Sequence, residues 1–208
     1  MLFTIENKND EWLEEIYKNS MSELNCFFQF GWTNNTPAII LVPNREAFDS
    51  LRGRKTAQWE TGWTNQNNNI FLLDYKNLEK ESDHKFSQKY YTSLLKHELT
   101  HCFVNVIARN LFKPLWLSEG IAVCLSGQND LKNKPKKFSN FLSYFDKYKQ
   151  GLYYESGFAI AFLIEKYGKE KMIELLKKSI RTSSKEDFAK LFYFIYDFEL
   201  EYKNFEVI

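Results

Sequence analysis

A helix with two histidines on its buried face must be met by other elements that satisfy them, and this chain contains such a helix. Tyr90, Leu94, His97, His101, Val104 and Ala108 recur at helical spacing. They predict one core-facing stripe on a helix from about Ser87 to Asn110. Inside that stripe runs His97-Glu98-Leu99-Thr100-His101. Side chains four residues apart lie one above the other on a helix, so both imidazoles can be offered to one Zn²⁺. Glu98 then stands beside a water bound to that ion. The chain has only three histidines, and two are spent here.

A catalytic zinc usually keeps three protein ligands and leaves one position for water. The segment Pro114-Leu115-Trp116-Leu117-Ser118-Glu119-Gly120-Ile121-Ala122 supplies a third. Its proline ends the preceding segment, Ser118 can cap a new helix, and Glu119 falls near the start of that helix. An acid alone at a helix start is explained by the helix dipole. Joined to the histidine pair, Glu119 reads as the third ligand of one zinc per chain. A His₂Glu set with an open position suits zinc better than magnesium or calcium.

The bounding numbers fit a small enzyme. With 208 residues the chain can bury one sizeable core, and 1–208 reads as a single domain. Lys+Arg 28 against Asp+Glu 27 gives net charge +1, which makes no electrostatic case for nucleic acid. The lysine-rich run 132–137 is short, broken by Pro135, and reads as a solvated loop. Cys26, Cys102 and Cys124 are an odd number without paired spacing, which favours a reducing compartment. Residues 1–8 lack the pattern of a signal peptide, and no apolar run approaches the ~18 residues a membrane span needs. The expectation is a cytoplasmic protein with no membrane partner.

The periodicity changes along the chain. Residues 10–27 have helical spacing; 37–43, 59–64 and 70–74 read as strands, with Asn44 capping a short helix and 65–69 a turn. Further helices are expected from Ser118, Phe138, Tyr153, Lys169 and Ser184. The fold class is α+β: a small sheet-containing N-terminal lobe (about 1–80) packed on a mostly helical C-terminal lobe (about 81–208). The zinc site is expected in the cleft between them. The aromatic tail from Phe188 to Phe205 reads as core.

Three segments carry a family likeness: His97-Glu98-Leu99-Thr100-His101, Leu115-Trp116-Leu117-Ser118-Glu119-Gly120-Ile121-Ala122, and Tyr153-Tyr154-Glu155-Ser156-Gly157. On these the chain resembles the gluzincin metallopeptidases, in particular peptidase MA-like domains related to thermolysin and to zinc aminopeptidases. The resemblance implies zinc on His97, His101 and Glu119, with Glu98 as general base. It also implies a tyrosine donating to the oxyanion. Tyr154 is the candidate, because Tyr154-Glu155-Ser156-Gly157 matches the Tyr-Glu-x-Gly segment of the aminopeptidases; Tyr153 is the alternative.

One departure bears on specificity. The stretch Thr61-Gly62-Trp63-Thr64-Asn65-Gln66 has no carboxylate where aminopeptidases hold the substrate's free amino group. An edge strand there can still pair with an extended peptide backbone. The expected activity is zinc-dependent hydrolysis of peptide bonds in a peptide or protein substrate, as an endopeptidase. The alternative is a catalytically silent zinc-containing binding or regulatory module. His84 is expected to be exposed and is given no role.

Overall fold

Asp10 starts the first helix: its side chain accepts a hydrogen bond from the Leu13 amide at 3.2 Å, and α1 (Glu11–Phe28) follows. The computed structural model describes residues 6–110, 113–146 and 152–206. Residues 1–5, part of the segment searched for a signal peptide, lie outside them. After α1 come β1 (Ala38–Val42), α2 (Arg45–Arg52), β2 (Gly62–Thr64), β3 (Asn69–Leu73) and the short α3 (Leu78–Glu81). The remainder is helical: α4 (Gln88–Ile107), α5 (Leu115–Leu125), α6 (Leu152–Tyr167), α7 (Lys169–Ser179) and α8 (Lys185–Tyr196). The described residues are thus mixed α+β, with eight α-helices and one three-stranded sheet. Among them, no helix is long and apolar enough to cross a membrane.

Local chemistry explains most element ends. Asn44, Ser87 and Ser184 each accept a hydrogen bond from the backbone three residues on, capping α2, α4 and α8. Between β2 and β3, the Asn65 side chain accepts from the amides of Asn67 and Asn69, which closes the expected turn. The sheet order is β1-β3-β2, with β1 parallel and β2 antiparallel to the central β3. β2 is therefore an edge strand.

Three expectations need correction. Ser118 does not cap α5, which begins at Leu115. Its first amides are satisfied from far along the chain: Leu115 donates to the Phe145 carbonyl at 2.9 Å and Trp116 to the Tyr144 carbonyl at 3.1 Å. No helix starts at Phe138; only a 3₁₀ turn, Phe141–Ser143, forms there. The amides of Ser139, Asn140 and Phe141 are instead held by the buried carboxylate of Glu155. The strand expected from Trp59 begins only at Gly62, and Trp59 is exposed.

α4 is buried on more than one face. Phe103 stacks on Phe28 of α1 at 5.4 Å, and the Tyr91 hydroxyl donates to the Leu73 carbonyl of β3 at 2.9 Å. Leu95, Leu99 and Cys102, outside the predicted stripe, are fully buried too. The tail is mainly core, with Phe188, Phe192, Tyr196 and Phe205 buried, although Tyr193 and Phe194 are exposed.

α5 meets α6 at its two glycines. A Cβ at Gly120 would lie 2.6 Å from the Ser156 carbonyl oxygen, and one at Gly157 would lie 2.3 Å from Val123 Cγ1. The backbones approach too closely for any side chain at Gly120, the residue beside Glu119. Gly120→Ala should therefore destabilise the fold by about 1–3 kcal/mol, the usual effect of overpacking. Thermal unfolding followed by circular dichroism measures this; an unchanged midpoint would show that α5 and α6 separate freely.

Candidate metal centre

α4 and α5 bring three side chains to one point. His97 and His101, one turn apart, turn their Nε2 atoms to within 3.1 Å of each other. Glu119 reaches across from α5 with Oε2 3.5 Å from His97 Nε2 and 3.3 Å from His101 Nε2. His97 and Glu119 are buried and His101 nearly so. Among the described residues these three form the group that could hold a metal ion. The triangle joins the sequence-predicted ligands without exception.

The local field favours positive charge at this point. Burial alone disfavours a charged imidazole at His101, but the Glu119 carboxylate, with Glu98 adding, outweighs it and raises the His101 pKa to about 9. Burial would likewise raise Glu119; the two imidazoles instead hold it well below the usual carboxylate range. An arrangement that stabilises a proton between these groups stabilises a cation for the same reason.

Glu98 is buried on the neighbouring face of α4 and is held by β2. The Thr64 hydroxyl lies 2.9 Å from Glu98 Oε2 and 3.0 Å from the Glu98 carbonyl oxygen, and donates to them. On the other side Gly62 leaves the space: a Cβ there would come within 3.3 Å of Glu98 Oε1 and 2.8 Å of Leu72. The edge strand thus fixes the carboxylate from two sides. Thr64 was not singled out by the sequence reading, because nothing local links residue 64 to residue 98.

A cavity of about 770 Å³ opens on these groups. β2 forms one side of it, with Trp63 stacked on Phe71 at 4.4 Å. Tyr153 lines it, with its ring 6.2 Å from that of His97. Tyr154 is not on the cavity wall and is 40% exposed. A helical residue points about 100° away from its predecessor, so only one of two adjacent tyrosines can face the metal centre. Glu155, the third residue of that segment, spends its carboxylate on the 139–141 loop.

Three further lining residues escaped the sequence reading. His84 is half-buried rather than exposed, stacked on Tyr90 at 4.8 Å with Nε2 3.0 Å from the Trp59 carbonyl oxygen. Asn105, one turn beyond His101, is buried with no hydrogen-bond partner for Oδ1. Its signal was present, since positions 97, 101 and 105 share a helix face. Lys132, read as part of a solvated loop, is half-buried on the cavity wall and donates to the Tyr153 carbonyl at 2.7 Å.

No family model matches the chain, and neither the curated proteins nor the solved structures yield a match. The geometry has to carry the functional reading.

His101→Ala and Glu119→Ala should each lose the one equivalent of divalent metal expected on the parent protein, whereas His84→Ala should retain it. Elemental analysis of protein purified without added metal measures all three. Stoichiometric metal on His101→Ala would move the site elsewhere.

Proposed function

We propose that the protein is a zinc-dependent peptidase of the gluzincin type, acting on internal bonds of peptide or protein chains. The observation that carries this reading is the His97–His101–Glu119 triangle with a buried, strand-held Glu98 beside it. The donors fit zinc. A tetrahedral ion with bonds of 2.0–2.1 Å needs ligand atoms about 3.3–3.4 Å apart, and the three separations here are 3.1, 3.3 and 3.5 Å. Zinc held there supplies a Lewis-acidic centre that acidifies water and polarises a carbonyl oxygen.

The remaining work falls to the chain. Glu98 takes the proton of the attacking water and returns it to the leaving amine. The Thr64 hydroxyl, by engaging Oε2, leaves Oε1 of that carboxylate for the water. Tyr153, which lines the cavity with its ring near His97, would donate its hydroxyl to the oxyanion as it develops. This role passes to Tyr153 from Tyr154, which points to solvent. β2 offers an edge on which an extended substrate backbone can pair, without a carboxylate to select a chain end. In this reading the sheet-containing first 80 residues and the helical remainder are the two lobes of a substrate cleft. A cytoplasmic site of action belongs to the same proposal and rests on the three free cysteines.

Glu98→Gln should keep its zinc and its fold while losing on the order of 10²–10⁴ in turnover, the usual contribution of a positioned base. Digestion of a peptide library by the two proteins at matched zinc content, read by mass spectrometry, gives the comparison. Peptides with acetylated N-termini should be cut as well as free ones. A zinc-loaded parent protein that cuts nothing would make it a binding module instead.

Tyr153→Phe should lower turnover by about 10²-fold with substrate binding nearly unchanged, because the lost hydrogen bond forms only in the transition state. Tyr154→Phe should be neutral. Steady-state kinetics on a peptide from the library distinguishes the two, and a swapped phenotype would reverse the assignment.

A further inference from the structure

The charges on the cavity wall are not evenly matched. Glu119 is engaged by the two histidines and Glu98 by Thr64. Glu60 is taken up by a two-pronged ion pair with Arg54. Arg52 lies over the Trp63 ring at 5.3 Å, spread on an aromatic face at the cavity edge. Lys132 stands apart from these. Its ammonium is drawn in from solvent and donates to one neutral acceptor, the Tyr153 carbonyl, and among the described residues it has no ion-pair partner.

A desolvated ammonium is costly unless an anion or several acceptors compensate it. Burial accordingly pushes the Lys132 pKa down to about 8, against the opposing pull of Glu119. Two of its three N–H donors remain for a ligand, beside the residue whose ring faces His97. A carboxylate entering the cavity would meet a fixed, partly dehydrated cation, where a charge-assisted hydrogen bond is strongest.

We propose that Lys132 is a specificity residue that binds a carboxylate of the substrate, either an acidic side chain or a free C-terminus. This rests on the reading of the cavity as a peptide-binding site. It gives that site an anionic preference, complementary to the missing anchor for an amino terminus around Gly62 to Gln66.

The test is a binding measurement, so it does not need turnover. Zinc-loaded Glu98→Gln protein is titrated with three short N-acetylated peptides, followed by the fluorescence of Trp59 and Trp63, which line the cavity. One carries an internal Glu and a C-terminal amide, the second a Gln in its place, and the third that Gln with a free C-terminal carboxylate. At least one carboxylate peptide should bind roughly 10- to 100-fold more tightly than the neutral one, the fold-change expected for a hydrogen bond to a charged group. Which one it is identifies the source of the carboxylate.

Added Lys132→Met should remove the preference while leaving the neutral peptide's affinity nearly unchanged, and Lys132→Arg should keep most of it. Equal affinities in the Lys132-containing protein overturn the proposal before any variant at 132 is made. So does a preference that survives Lys132→Met, or an absence of saturable binding by all three peptides. A carboxylate preference in Glu98→Gln, together with a zinc-loaded parent protein that cleaves no peptide, would sink the peptidase reading and leave the Lys132 site standing.

Discussion

Two imidazoles and a carboxylate converge on one point inside this protein, and the elements around them are arranged so that this polarity can be buried. Each group alone would be destabilising there; together they compensate one another. Glu119 holds positive charge at His101, and the imidazoles keep Glu119 ionised. The same mutual dependence makes the point a good place for a cation. His97 and His101 come ready-paired on α4, so the demanding step in building the centre is to bring the third donor from another helix.

That step is solved by close backbone contact. Gly120 next to Glu119 lets α5 press against the Ser156 carbonyl of α6, and Gly157 returns the contact at Val123. The N-terminus of α5 is tied to the carbonyls of Tyr144 and Phe145, and the loop leading there is tied by Glu155 of α6. α5 is thus fixed at its end and along its face. The carboxylate it carries has little freedom to miss the histidines. This rigidity is what a metal-binding or catalytic group needs, since small displacements of such groups are expensive.

On the neighbouring face of α4 the sheet does equivalent work for Glu98. Thr64 and Gly62 stand two residues apart on β2 and therefore face the same side of the strand, one donating to the carboxylate and the other making room for it. Because β2 is the edge strand, the same element that positions the proposed base also borders the cavity where a substrate would lie. Lys132 and Tyr153, joined by a hydrogen bond, border it from elsewhere in the fold. An incoming chain would be read by β2 on one side and by this pair on another.

How much of this was legible from the residues alone depended on range. The i, i+4 histidines, the caps at Asp10, Asn44, Ser87 and Ser184, and the Asn65 turn are decided within a few residues, and the sequence contains all the interacting partners. The candidate ligands could be named for a related reason: two histidines on one helix face and a glutamate on the next are chemical types with few other uses together. Where an element's end or a side chain's environment is set by a distant partner, local reasoning had nothing to act on. α5 starts at Leu115 because carbonyls some thirty residues later accept its amides, and 138 opens no helix because Glu155 takes the amides there. Tyr153 rather than Tyr154 faces the centre because packing sets the rotation of α6, and Lys132 leaves the solvated loop for the cavity wall because that wall is assembled only in three dimensions. The sequence by itself determined the donors and their local elements; the tertiary structure decided which faces meet.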